Sequence, residues 1–209
     1  MTRSFRIAFL AFAVLPFAPT FAEDVISSPA ARRAQIVASS QLGETFLSIN
    51  RESYRVVVGL RAVSRGEERA ESRMAALGMP PADLVEVKGP VLIVKRPAPT
   101  GTPAARLRAA GAVGEANGSP ASPVAVNTRT GRFGFLTGIV VVELRSPEEA
   151  ATLARANGLE LRYVADGIGY AYFRVPAGRD VVAAAKALRS APGVESADPE
   201  VIETFKVTR

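Results

Sequence analysis

The chain has 209 residues with 26 basic and 20 acidic side chains, no cysteine and no histidine. Without cysteine there are no disulfides, no thiol chemistry and no thiolate metal sites. Without histidine, Ser-His-Asp and Cys-His catalysis and nearly all zinc sites are excluded. A Ser-Lys dyad or a carboxylate pair is what remains for an enzyme. The two close acidic pairs, Glu148 with Glu149 and Glu68 with Glu71, fall on expected helices as solvated surface acids. The chain is therefore read as a non-enzyme with no cofactor and no metal.

The N-terminus carries a secretory pattern. Arg3 and Arg6 precede an apolar run from Ile7 to Phe17, and Thr20-Phe21-Ala22 places small residues at a cleavage site. The run is shorter than the roughly 20 apolar residues that span a bilayer. Cleavage after Ala22 is expected, with periplasmic or secreted localisation and no membrane association afterwards. Loss of those 22 residues, two arginines among them, leaves 187 residues with 24 basic and 20 acidic side chains, a net charge of +4. No concentrated basic stripe accompanies this mild charge, so no nucleic-acid partner is expected.

Residues 23–50 form an N-terminal segment of mixed pattern, in which Ser28-Pro29 starts a weak helix through Ile36 and Val37. The signal sharpens over 51–109, an expected α+β domain. Tyr54 to Leu60 is strand-like. Ser64 to Leu77 has a capping serine with Glu67 three residues on, which predicts a helix. Leu84 to Val87 and Val91 to Val94 flank Lys88-Gly89-Pro90 in a hairpin pattern, and Thr102 to Ala109 is a second helix. Residues 110–136 are rich in Gly, Ala, Ser and Pro at their start. They are expected to form a linker and a short hairpin of Pro123 to Asn127 with Arg132 to Leu136. Asn117-Gly118-Ser119 matches a glycosylation triplet by chance.

Residues 137–199 carry the clearest pattern. Gly138 to Leu144 is a strand, and Ser146-Pro147-Glu148-Glu149 starts a helix that Gly158 ends. Leu159 to Val164 and Tyr170 to Val175 are strands around an Asp166-Gly167 turn. Asp180 caps a helix with Val181, Ala184, Ala185 and Leu188 on its inner face, and Val194 to Ala197 is a fourth strand. The order β-α-β-β-α-β predicts an α+β fold with a C-terminal ferredoxin-like plait. The 54–109 region has the same order up to its second helix, which suggests an internal duplication.

In such a plait both helices cover one face of the sheet. Alternation along Tyr170 to Val175 puts Ala171, Phe173 and Val175 in the core and Tyr170, Tyr172 and Arg174 on the open face. On the first strand either Ile139 with Val141 or Val140 with Val142 must also face outward. An open face of tyrosine and valine is a candidate contact surface.

Several segments carry a resemblance. They are Val140-Val141-Val142-Glu143-Leu144, Gly158-Leu159, Phe173-Arg174-Val175-Pro176, Ala187-Leu188-Arg189, and Pro192-Gly193-Val194-Glu195-Ser196-Ala197-Asp198-Pro199-Glu200. Together they resemble the propeptide-like inhibitor domain of subtilisin-type serine proteases, in the form of a bacterial external chaperone. The resemblance implies an inhibitor and folding chaperone acting in trans on a subtilisin-like serine protease. The sheet face would dock on two protease helices. Asp198 and Glu200 would cap the N-termini of those helices, where unpaired N–H groups favour an anion. The tail of residues 200–209 would enter the active-site cleft through Glu203, Thr204, Phe205 and Lys206, followed by Val207, Thr208 and Arg209. Two other readings stand beside it. One is an exported interaction module with a different partner. The other is a plait that stacks single-stranded nucleic acid on its tyrosines, which the mild charge and the absence of a glycine-aromatic signature oppose.

Overall fold

The computed structural model describes residues 28–116 and 119–205. The expected signal at 1–22, Asn117 and Gly118 of the triplet, and Lys206 to Arg209 of the tail lie outside the described residues. Among the described residues the fold is α+β, with a ten-stranded antiparallel sheet. In chain order the elements are α1 (Pro29–Ser39), β1 (Leu42–Leu47), β2 (Ser53–Ser64), α2 (Ala70–Ala76), β3 (Leu84–Lys88), β4 (Val91–Lys95) and α3 (Pro103–Gly111). There follow β5 (Gly114–Ala116), β6 (Ser119–Asn127), β7 (Phe133–Leu144), α4 (Ala150–Ala156), β8 (Glu160–Ala165), β9 (Tyr170–Arg174), α5 (Val181–Arg189) and β10 (Val194–Ile202).

The sheet contains the same arrangement twice. In the first repeat β2 pairs with β4 and β4 with β3, while β6 lies on the other edge of β2. In the second, β7 pairs with β9 and β9 with β8, while β10 lies on the other edge of β7. Strands β2 and β7 are both 12 residues long and start 80 positions apart, as do helices α2 and α4. The outer pairing of each long strand is interrupted near its middle, between Val56 and Arg61 in β2 and between Leu136 and Val140 in β7. Gly59 and Gly138 sit in these breaks with φ 87 and 84, a backbone that side chains with a Cβ resist. At Gly138 a Cβ would also lie 2.9 Å from Val113 Cγ2.

Residues 110–136 correct the expected linker. They hold the end of α3 and two strands, and β6 is an inner strand of the sheet rather than a loop. The expected hairpin is present, with Val124 to Val126 paired to Phe133 to Phe135. The first helix of this repeat is also shorter than expected. Ser64 is still paired with Val91 in the sheet, so α2 begins only at Ala70 and the Ser64 cap does not form. In the second repeat, Pro147–Glu149 is a single 3-10 turn leading into α4. Strands β8 and β9 form the expected hairpin around Asp166-Gly167, with a turn that is 3-10 over Asp166–Ile168 and closed by left-handed Gly169. Strand β1 lies in the segment whose pattern was mixed.

Three apolar clusters hold these layers together. The largest packs Val140, Val142, Leu144, Ala171 and Phe173 under Ala150, Ala154, Val181, Ala184, Ala185 and Leu188, and extends to Tyr54, Val56, Val58 and Ala125. A side chain the size of Leu188 stabilises by about 2–3 kcal/mol when buried. This shared cluster joins the two repeats. Val63, Leu92, Val94 and Ala121 pack under Met74, Leu77 and Met79 around α2. On the opposite face, Leu60, Ala62, Val91, Ile93, Val124, Phe133 and Phe135 form the third cluster. Ile36 and Val37 of α1 and Ile202 and Phe205 of the C-terminal segment cover it.

Asp180 caps α5 as expected, its Oδ1 accepting from Val182 N at 2.9 Å and Ala183 N at 3.2 Å. Burial raises its carboxyl above the usual range, against these two hydrogen bonds and Arg108. A raised folded value means the ionised form costs stability, which declines as pH rises from the unfolded value through the folded one. Asp180→Asn keeps the acceptor without the charge. Its stability relative to wild type should rise from acid to neutral pH, whereas Asp180→Ala should lose about 1 kcal/mol at acid pH by urea denaturation.

Candidate docking face and the docked tail

The face of β9 that turns away from the helices carries Tyr170, Tyr172 and Arg174, and its burial alternates as the sequence predicts. Ala171 and Phe173 are fully buried on the other side. Across the ladder, Tyr172 stands opposite Val141, Tyr170 opposite Glu143 and Arg174 opposite Ile139. The β7 residues on the side of Tyr172 are thus Ile139, which is half-buried, and Val141, which is buried there, while Val140 and Val142 belong to the core under the helices. Glu143 accepts a hydrogen bond from Ser196 Oγ at 3.1 Å.

Tyr163 joins this face and was not expected there. Its ring lies 5.8 Å from that of Tyr172 at 46°, and it is 62% exposed. Strict alternation places it on the same side as Leu161. The register shift between Leu161 and Tyr163 turns it to the open side instead, a reversal that a bulge produces and a sequence pattern does not reveal. Three tyrosines and an arginine make a set enriched at protein contacts.

The first repeat is different at the equivalent place. There β4 runs Val91-Leu92-Ile93-Val94 and all four residues are buried, because α2 and its flanks cover one side and α1 with the C-terminal segment cover the other. A strand buried on both faces needs a continuous apolar run. Strand β9 alternates Tyr-Ala-Tyr-Phe-Arg because only one of its faces is covered.

Neither expected capping acid stands free in this chain. Asp198 is buried and its Oδ1 lies 2.5 Å from Arg189 Nη2, while Arg189 Nε donates to the Ala197 carbonyl at 2.7 Å. Glu200 Oε2 accepts from Thr137 Oγ1 at 2.6 Å. The sequence pattern gives their spacing in the chain but not these partners.

The tail continues from β10 against the first repeat. Glu203 Oε2 accepts from the Tyr54 hydroxyl at 3.0 Å and from Asn127 Nδ2 at 3.1 Å. Its carbonyl accepts from Lys88 Nζ at 2.8 Å. Phe205 stacks on Phe135 with ring centroids 5.9 Å apart and lies over Gly89. Asn127 is buried and its amide also donates to Glu52 Oε2 at 3.0 Å, so one side chain joins two carboxylates. The Glu52 carboxyl is held low by its hydrogen bond to Arg129 and then by Asn127. Burial raises the Tyr54 hydroxyl, and the Glu203 carboxylate beside it acts in the same direction. Burial pushes the Lys88 ammonium down, against the pull of Glu86. Glu52, Tyr54, Lys88 and Asn127 carry no pattern that singles them out in the sequence, since β2 with the turn before it, β3 and β6 bring them together.

Fold and face together define an α+β sheet protein of two similar repeats, one covered on both faces and one partly exposed on one. The chain belongs to the family described as the open reading frame 2 N-terminal domain, which matches residues 38–206. No curated protein and no solved structure gives a match.

Arg189→Met should destabilise the protein by about 1–2 kcal/mol in urea denaturation. It strands the buried Asp198 carboxylate, with a discount for the solvent that reaches Arg189. Adding Asp198→Asn should return part of that loss.

Proposed function

We propose that this chain is an exported inhibitor and folding chaperone that acts in trans on a subtilisin-like serine protease. The observation that carries the reading is the partly exposed tyrosine face of β9, in a chain whose equivalent strand β4 is covered on both sides. The antiparallel order β10-β7-β9-β8, with α4 and α5 as crossovers, supports a ferredoxin-like plait for the second repeat. The sequence resemblance supports the choice of partner. In this reading Tyr163, Tyr170, Tyr172 and Arg174 pack against the protease surface. Burying two or three aromatic rings there supplies the main part of the affinity.

The tail then acts as a pseudo-substrate, with Glu203 to Lys206 lying along the cleft. No group of the chain takes part in chemistry, so none is proposed as catalytic. Glu200, whose partner among the described residues is the neutral Thr137 hydroxyl, is the acid best able to turn to a partner's helix N-terminus. Binding the folded protease in preference to its unfolded chain stabilises the folded form, which joins inhibition to chaperoning.

A second reading has its own support. Asp198 is paired to Arg189 and the tail is docked on the first repeat. Both favour a module that binds a different exported partner through the β9 face alone.

Tyr170→Ala with Tyr172→Ala should weaken inhibition of a subtilisin-like protease by about tenfold or more, a loss typical of buried interface aromatics. Removal of residues 203–209 should abolish most inhibition but retain part of the gain in refolded protease. Equal inhibition by the truncated and full-length chains would refute the tail's role. A full-length chain that neither inhibits the protease nor raises its refolding yield would leave the second reading.

A further inference from the structure

The C-terminal segment is held by side chains that no neighbouring stretch of sequence supplies. Tyr54 comes from β2, Lys88 from the end of β3, and Asn127 from the end of β6. All three donate to one residue, Glu203. With the tail in place Tyr54 is fully buried and Asn127 nearly so, so two of the three donors are shielded from solvent at the contact. Two residues on, Phe205 stacks on Phe135 and packs at the Gly89 turn, where an added Cβ would approach its Cδ2 to 3.1 Å. The bound segment also completes the cover of the third apolar cluster.

We propose that this contact is a latch that keeps the tail out of the protease cleft until it is released. The proposal rests on the reading of Glu203 to Lys206 as the cleft-binding segment. The side chain and carbonyl of Glu203 and the ring of Phe205 are engaged by the first repeat, so these groups cannot contact a protease cleft at the same time. Tail insertion therefore competes with an internal site, and the effective rate of inhibition scales with the fraction of chains whose tail is undocked. The β9 face lies on the other repeat and stays accessible with the latch closed. Docking by the face comes first, and tail insertion follows as a separate step.

A reversible lock tests this. An ideal Cβ at Gly89 lies 3.7 Å from the Phe205 Cβ, inside the roughly 3.5–4.5 Å that a disulfide requires. The chain contains no cysteine, so Gly89→Cys with Phe205→Cys has a single pairing available. Loss of free thiol on mild oxidation reports the docked tail without any protease. A companion variant, Tyr54→Phe with Lys88→Met, removes two of the three donors without touching the tail.

The companion variant should begin to inhibit about fivefold or more faster than wild type in progress curves with a subtilisin-like protease. The locked form should inhibit far more slowly than the same protein after reduction. Failure of the two cysteines to pair while the protein stays folded overturns the latch. So does an onset unchanged in the companion variant when wild type inhibits. If the cysteines pair but wild type does not inhibit at all, the protease reading falls. The docked tail then stands on the disulfide result, and its role as a regulator of inhibition is overturned.

Discussion

Strand β7 is paired along both edges, and most of the molecule is placed by that pairing. On one edge it meets β6 at Phe133 to Phe135 and then β9 at Ile139 to Glu143. On the other it meets β10 from Phe135 to Leu144. Strand β2 does the same with β1, β4 and β6. A strand can serve three neighbours only if it is long, and a long flat strand does not twist enough to keep both faces packed. The interruptions at Gly59 and Gly138 relieve this by bending each strand near its middle. Because β6 is at once the outer neighbour of β2 and a neighbour of β7, it fuses the two repeats into one sheet.

The same geometry explains why the repeats differ in use. In the first, α1 and the C-terminal segment close the face opposite α2, and the buried strand β4 is apolar throughout. In the second, that face is open, and its strands show aromatic and charged residues in alternation. The closing segment is itself the continuation of β10. Its attachment through Glu203 and Phe205 therefore ties the end of the second repeat to the face of the first, with Tyr54 and Asn127 as buried anchors.

The sequence was informative where local chemistry is strong. The Asp180 cap and the spacing of Val181, Ala184, Ala185 and Leu188 specify α5, and the alternation on Tyr170 to Arg174 gives the faces of β9. It was misleading over the start of β6, before the expected hairpin strand from Pro123 to Asn127. Pro120, Ser122 and Pro123 lower strand propensity there, so the segment resembles a loop. Pro123 borders the break in the β2–β6 ladder, as Pro199 borders the break in the β7–β10 ladder, where a missing N–H costs least. Ser64 failed as a helix cap for the converse reason: its pairing with Val91 outweighs a local capping preference worth about 1 kcal/mol.

What the sequence alone determined is therefore the kind of each strong element, the buried side of β9 and the lack of histidine and cysteine chemistry. Those depend on residue type and on spacing within one element. The tertiary structure decided the rest: Tyr163 turned outward by a bulge, Asp198 paired with Arg189, and Glu203 gathered between Tyr54, Lys88 and Asn127. Each of these is set by the register between strands distant in the chain. Register is fixed by packing over the whole sheet, which no local pattern records.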